Sequence, residues 1–153
     1  MPPEPRALLF MSGDDDELAR NHIQVARRWV AVAGRDFQSA HACLNAGIPE
    51  TAAYRCQQAV EKSMKGLPVL SRVPFRRMHD LEALRDLVLP GFSEFSVFVE
   101  RLVPLTDWGH VFRYPDVGDE AVPSTEELLA ALYEIDGFSA RVAAAIDRAA
   151  TGG

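Results

Sequence analysis

TAAYRCQQAVEKSMKGL, residues 51–67, is the stretch from which the fold of this chain is read. At about 100° per residue, Ala52, Ala53, Cys56, Ala59, Val60, Met64 and Leu67 gather on one side of a helix. Tyr54, Gln58, Glu61 and Lys65 fall within about 60° of each other on the opposite side. One face packs and the other presents polar groups. Pro49 suits the first turn of this helix, and Gly66 and Pro68 are expected to end it near Leu67. Upstream, a first helix opens near the acids Asp14 to Asp16 and runs past Trp29, Ala33, Phe37 and Ala40 to about Ala46, with Gly47 as its C-cap. Gly34 lies inside it at a cost of about 1 kcal/mol relative to alanine, which predicts close packing or a bend there.

Downstream, a loop leads to a short helix beginning near His79 or Asp80, with Leu81, Leu84 and Val88 on one face and Pro90–Gly91 as its stop. Phe92, Phe95, Phe98 and Leu102 recur at intervals of three and four and predict a fourth helix, interrupted by Pro104. Ser124 with Glu127 three residues on is a capping box, so the last helix begins there and runs to about Ala149. Period-2 alternation and internal repeats are absent. The fold class is therefore all-α, a single-domain bundle of four to five helices over residues 14–150, preceded by a flexible N-terminal arm, residues 1–13.

A chain of 153 residues with 48% hydrophobic and 25% charged content supports one core and is neither disordered nor fibrous. No apolar run approaches the roughly 20 residues of a membrane span, and the N-terminus lacks the apolar core of a signal peptide, so a cytoplasmic protein is expected. Cys43 and Cys56 have no partner at zinc-ligand or C-x-x-C spacing, and neither a metal nor a cofactor is expected. A net charge of −6 argues against nonspecific coating of nucleic acid.

The polar side of the second helix reads in two ways. It is a solvated face with an i,i+4 pair between Glu61 and Lys65, worth about 0.2–0.5 kcal/mol, or it is part of a site. From Lys62 to His79 the chain carries Lys62, Lys65, Arg72, Arg76 and Arg77 and no acid, which suits a local phosphate-binding surface, although such runs also occur on ordinary loops. His79 precedes a helix, where it can cap or act as a general acid or base. His110 and Arg113, three apart, would project from one helical face.

The segments AAYRCQQAVEKSMKG (52–66), HDLEAL (79–84) and RYPD (113–116), in this order and spacing, resemble the HEPN domain family, named for nucleotide binding in higher eukaryotes and prokaryotes. The resemblance covers about residues 25–149 and implies a helical bundle of the nucleotidyltransferase substrate-binding-subunit type. It also implies a homodimer with a polar groove at or near the interface, and a minimal nucleotidyltransferase partner in a toxin–antitoxin arrangement. A homodimer is expected too from the fourth helix, whose aromatic surface exceeds what a chain of this size readily buries.

Many HEPN proteins are metal-independent ribonucleases in which four to six residues separate an Arg from a His. Arg35 with His41 and Arg72 with His79 have that spacing, but neither lies toward the later helices as in the ribonuclease members, and His110 precedes Arg113 in the reverse order. The chain thus reads first as a nucleotide- or RNA-binding module, with Tyr54, Gln58, Glu61, Lys65, His79 and Arg113 lining a groove and Arg76 and Arg77 attracting the anion. The alternative is a metal-independent endoribonuclease in which His79 moves the proton of the attacking 2′-hydroxyl and Arg113, or else Arg72, stabilises the charged phosphorane. A third reading is a structural partner whose polar groove only sets dimer register. Tyr114 of RYPD is a candidate modification target for a nucleotidyltransferase.

Overall fold

A computed structural model of the chain describes residues 15–75, 78–109 and 122–152. Five α-helices are described: α1 (Asp15–Asn45), α2 (Pro49–Leu70), α3 (Leu81–Val88), α4 (Ser96–Leu102) and α5 (Thr125–Ala150). Two 3₁₀ segments, Ser93–Phe95 and Val103–Gly109, flank α4. No strand occurs among the described residues, so the all-α expectation holds. The N-terminal arm and the RYPD segment with His110, Arg113 and Tyr114 lie outside the described residues, as do Arg76 and Arg77.

α1 and α2 form an antiparallel hairpin through a Schellman turn. Gly47 takes φ +77°, its N–H donates to the carbonyl of Leu44 and that of Ile48 to the carbonyl of Cys43. α5 packs across both helices, while α3 and the segment Val103–Gly109 cover the remaining side of α2. α2 is consequently the central element, with 14 of its 22 residues buried, polar ones included. The predicted capping box is present: Glu127 N–H donates to Ser124 Oγ at 3.1 Å and Ser124 N–H to Glu127 Oε2 at 2.8 Å. Asp80, not His79, caps α3 by accepting from the Glu82 N–H at 2.9 Å.

Two expectations need correction, and the packing of the aromatic run is now defined. α2 does not stop at Leu67 but continues through Pro68 to Leu70. The proline costs up to about 3 kcal/mol in a helix interior, and burial of Leu67 and Val69 at roughly 1.5–3 kcal/mol each offsets it. Gly34 faces open space, so no close contact requires it; the near approach is at Gly66, where an added Cβ would stand 3.5 Å from the Ala26 carbonyl oxygen. The aromatic run is absorbed within the chain. Phe95 is buried with its ring edge-on to Phe92 (6.2 Å) and Phe138 (5.8 Å), and half-buried Phe98 lies against Phe138 (6.2 Å). These contacts spend part of the aromatic surface on the monomer core and leave Phe92 and Phe98 half-buried.

Candidate functional site

The polar face of α2 is not solvated. Glu61 and Lys65 are 1% and 5% exposed, on a helix packed by α1, α3, α5 and the segment Val103–Gly109. A carboxylate so placed needs partners for both oxygens. Glu61 Oε1 meets His79 Nδ1 at 2.8 Å, and Oε2 stands 3.8 Å from Lys65 Nζ. The Lys65 ammonium also lies over the Trp29 ring, 5.3 Å from its centroid.

One turn before Glu61, buried Gln57 donates through Nε2 to the His79 backbone carbonyl at 3.3 Å, while its Oε1 accepts from Gln58 Nε2 at 2.7 Å. Two side chains at i and i+4 on α2 thus fix residue 79, one by its ring and one by its backbone. Gly109 packs against Gln57, where a Cβ would come within 3.2 Å of the amide. Thr106 Oγ accepts from the Leu81 N–H at 3.3 Å and holds the start of α3. The His79 ring is nevertheless 73% exposed. An ionised carboxylate only accepts, so Nδ1 carries the hydrogen, and in the neutral ring Nε2 is then the acceptor.

A second carboxylate organises the opposite edge of the hairpin. Asp36 of α1, 4% exposed, accepts from Arg55 at 2.9 Å and from Lys62, and the Arg55 guanidinium lies 5.7 Å from the Tyr54 ring centroid. Lys62 and Lys65, two of the five cations in the acid-free run, are therefore neutralised by acids outside it, Asp36 and Glu61. Arg72 is exposed in the left-handed region at φ +59°. Among the described residues no hydrogen bond or ion pair joins it to His79; its charge reaches His22 on α1 instead.

The family model of the HEPN domain matches residues 26–141, from within α1 to within α5. The chain belongs to the HEPN domain family. No curated protein and no solved structure gives a significant match. Of the residues singled out in this HEPN sequence, the structure joins His79, Glu61, Lys65 and, through Gln57, Gln58 in one network, and half-buried Tyr54 has the Arg55 guanidinium against its ring. Glu61 and Lys65 are buried, and Glu61 contacts the ring of exposed His79. Gln57 is not among the residues that the sequence singles out; its i,i+4 spacing to Glu61 is the signal that could have found it. His41 does not pair with Arg35 but packs edge-on to Phe37 at 4.8 Å. Among the described residues no three His, Cys, Asp or Glu side chains are grouped to hold a metal, and no helix is long and apolar enough to cross a membrane.

Proposed function

We propose that this HEPN domain is a nucleotide- or RNA-binding module of the cytoplasm whose contact point is the exposed edge of His79. The observation that carries this reading is a surface histidine held on a buried carboxylate. Burying Glu61 is costly, and its Nδ1 contact fixes the orientation of a ring that is otherwise in water. Arg72 and, from the sequence, Arg76, Arg77 and Arg113 would supply attraction for phosphate. Exposed Leu129 and Tyr133, one turn apart on α5, support a homodimer, and family membership supports a minimal nucleotidyltransferase partner in a toxin–antitoxin pair, with Tyr114 as a target for modification.

A second reading is favoured by the same contact. With Nδ1–H on Glu61, Nε2 of a neutral His79 would accept the proton as the 2′-oxygen attacks phosphorus, Arg113 or Arg72 would steady the charge on the phosphorane, and the P–O5′ bond would break as the protonated ring returns its proton to the leaving 5′-oxygen: metal-independent RNA cleavage. One experiment separates the two. Purified protein and its His79→Ala variant are titrated with fluorescent single-stranded RNA and assayed for cleavage in EDTA. Binding without cleavage, weakened in the variant, supports the module; cleavage abolished in the variant supports the nuclease; neither binding nor cleavage leaves the structural-partner reading.

A further inference from the structure

The outer face of α1 carries a charge pattern that neither carboxylate cluster uses. From Arg20 to Asn45 the helix has four arginines, all exposed, and a single acid, Asp36, which is buried. Arg20, Arg27, Arg28 and Arg35 fall within an arc of about 100°, opposite the core-facing Ala26, Ala33 and Ala40. Arg20, Arg28 and Arg35 succeed one another at about 12 Å and about 10 Å along the axis. Exposed Gln24, Ala31, Gly34, Gln38 and Ala42 lie on the same side, so short side chains and amides separate the guanidinium groups. Arg27 reaches Asp147 of α5 at 3.4 Å, but both groups are mostly in water and the pair holds weakly. In a chain of net charge −6, this is segregation of positive charge onto one helix face.

We propose that this face of α1 is a track for the phosphodiester backbone of RNA. The inference rests on the RNA-binding reading above and adds the surface along which the strand runs. A linear array of forked donors over a low floor of alanine and glycine suits a rod of regularly spaced anions. A protein partner would call for apolar anchors at the centre of the face, and among the described residues of α1 the largest exposed apolar side chain is Val32 at 39%. Contacts of this kind position the strand without reading its bases.

The test is a titration of fluorescein-labelled single-stranded RNA, between about 50 and about 200 mM salt, with wild type, Arg28→Gln/Arg35→Gln and His79→Ala. Two lost phosphate contacts make the log–log salt slope shallower by about 1.4 in the double variant, while His79→Ala retains the wild-type slope. An unchanged slope in the double variant, with binding lost in His79→Ala, overturns the track and leaves the His79 reading standing. Absence of RNA binding by wild type overturns both. Polyglutamate competing as well as unlabelled RNA overturns the assignment to nucleic acid in favour of an acidic protein surface.

Discussion

Glu61 shows how one buried residue organises the site. It is legible in the sequence as half of an i,i+4 pair with Lys65, worth a few tenths of a kcal/mol on a solvated helix. Burial changes the consequence of removing it. Glu61→Ala removes the buried carboxylate that both Lys65 and His79 meet and should cost about 3–5 kcal/mol, whereas His79→Ala takes one partner from that carboxylate, admits water to it and leaves Lys65 in place, and should cost about 1–2 kcal/mol. Urea denaturation of both variants checks this, and equal losses would mean that Glu61 does not anchor the network. His22, also buried, has its pKa lowered from 6.5 by burial, with the Arg72 charge adding to the effect. The unfolded chain therefore takes up this proton at a higher pH than the folded one. The contribution of neutral His22 is complete above about pH 6.5 and is lost as pH falls from there through the folded pKa. Between about pH 7.5 and 5.5, His22→Gln should lose less thermal stability than wild type; parallel melting curves would contradict that.

At the scale of elements, local signals located most helix ends, and long-range packing decided where they failed. The Ser124–Glu127 box, the Gly47 turn and the Leu81, Leu84, Val88 face all depend on neighbours within a turn or two, and each was legible. Pro68 was misread because a proline's cost is local while the burial that offsets it comes from other helices. The glycines separate in the same way. Gly34 has an ordinary helical backbone and open space, so Gly34→Ala should stabilise the chain by about 0.5–1 kcal/mol. Gly47→Ala, forced to a positive φ, should destabilise it by about 1–2 kcal/mol. Thermal melts of the two variants should shift in opposite directions.

At the scale of the molecule, the aromatic cluster of Phe92, Phe95, Phe98 and Phe138 forms within one chain with Phe92 and Phe98 half-buried, and a second exposed apolar surface lies on α5. Leu129 at 52% and Tyr133 at 80% exposure supply apolar area on α5, on an element apart from the arginine face of α1. Tyr133→Glu combined with Leu129→Glu is expected to convert a dimer to monomer in light scattering at tens of micromolar, with helical content retained. A wild-type monomer at that concentration would remove the dimer and any groove built across it.

The sequence by itself determined the all-α class, the order of the helices, the helix caps and the HEPN membership, because each is written in periodicity, turn chemistry or residue order along the chain. It also contained Glu61, Lys65 and His79, but as separate features: an i,i+4 pair and a histidine before a helix. Only the tertiary structure decided that α2 is enclosed on its polar side, that Gln57 and Glu61 together hold His79, and that Asp36 neutralises Lys62 across 26 residues of chain. The physical reason is that burial and charge pairing depend on which elements meet. A carboxylate on a helix face reads the same in sequence whether water or another segment lies above it.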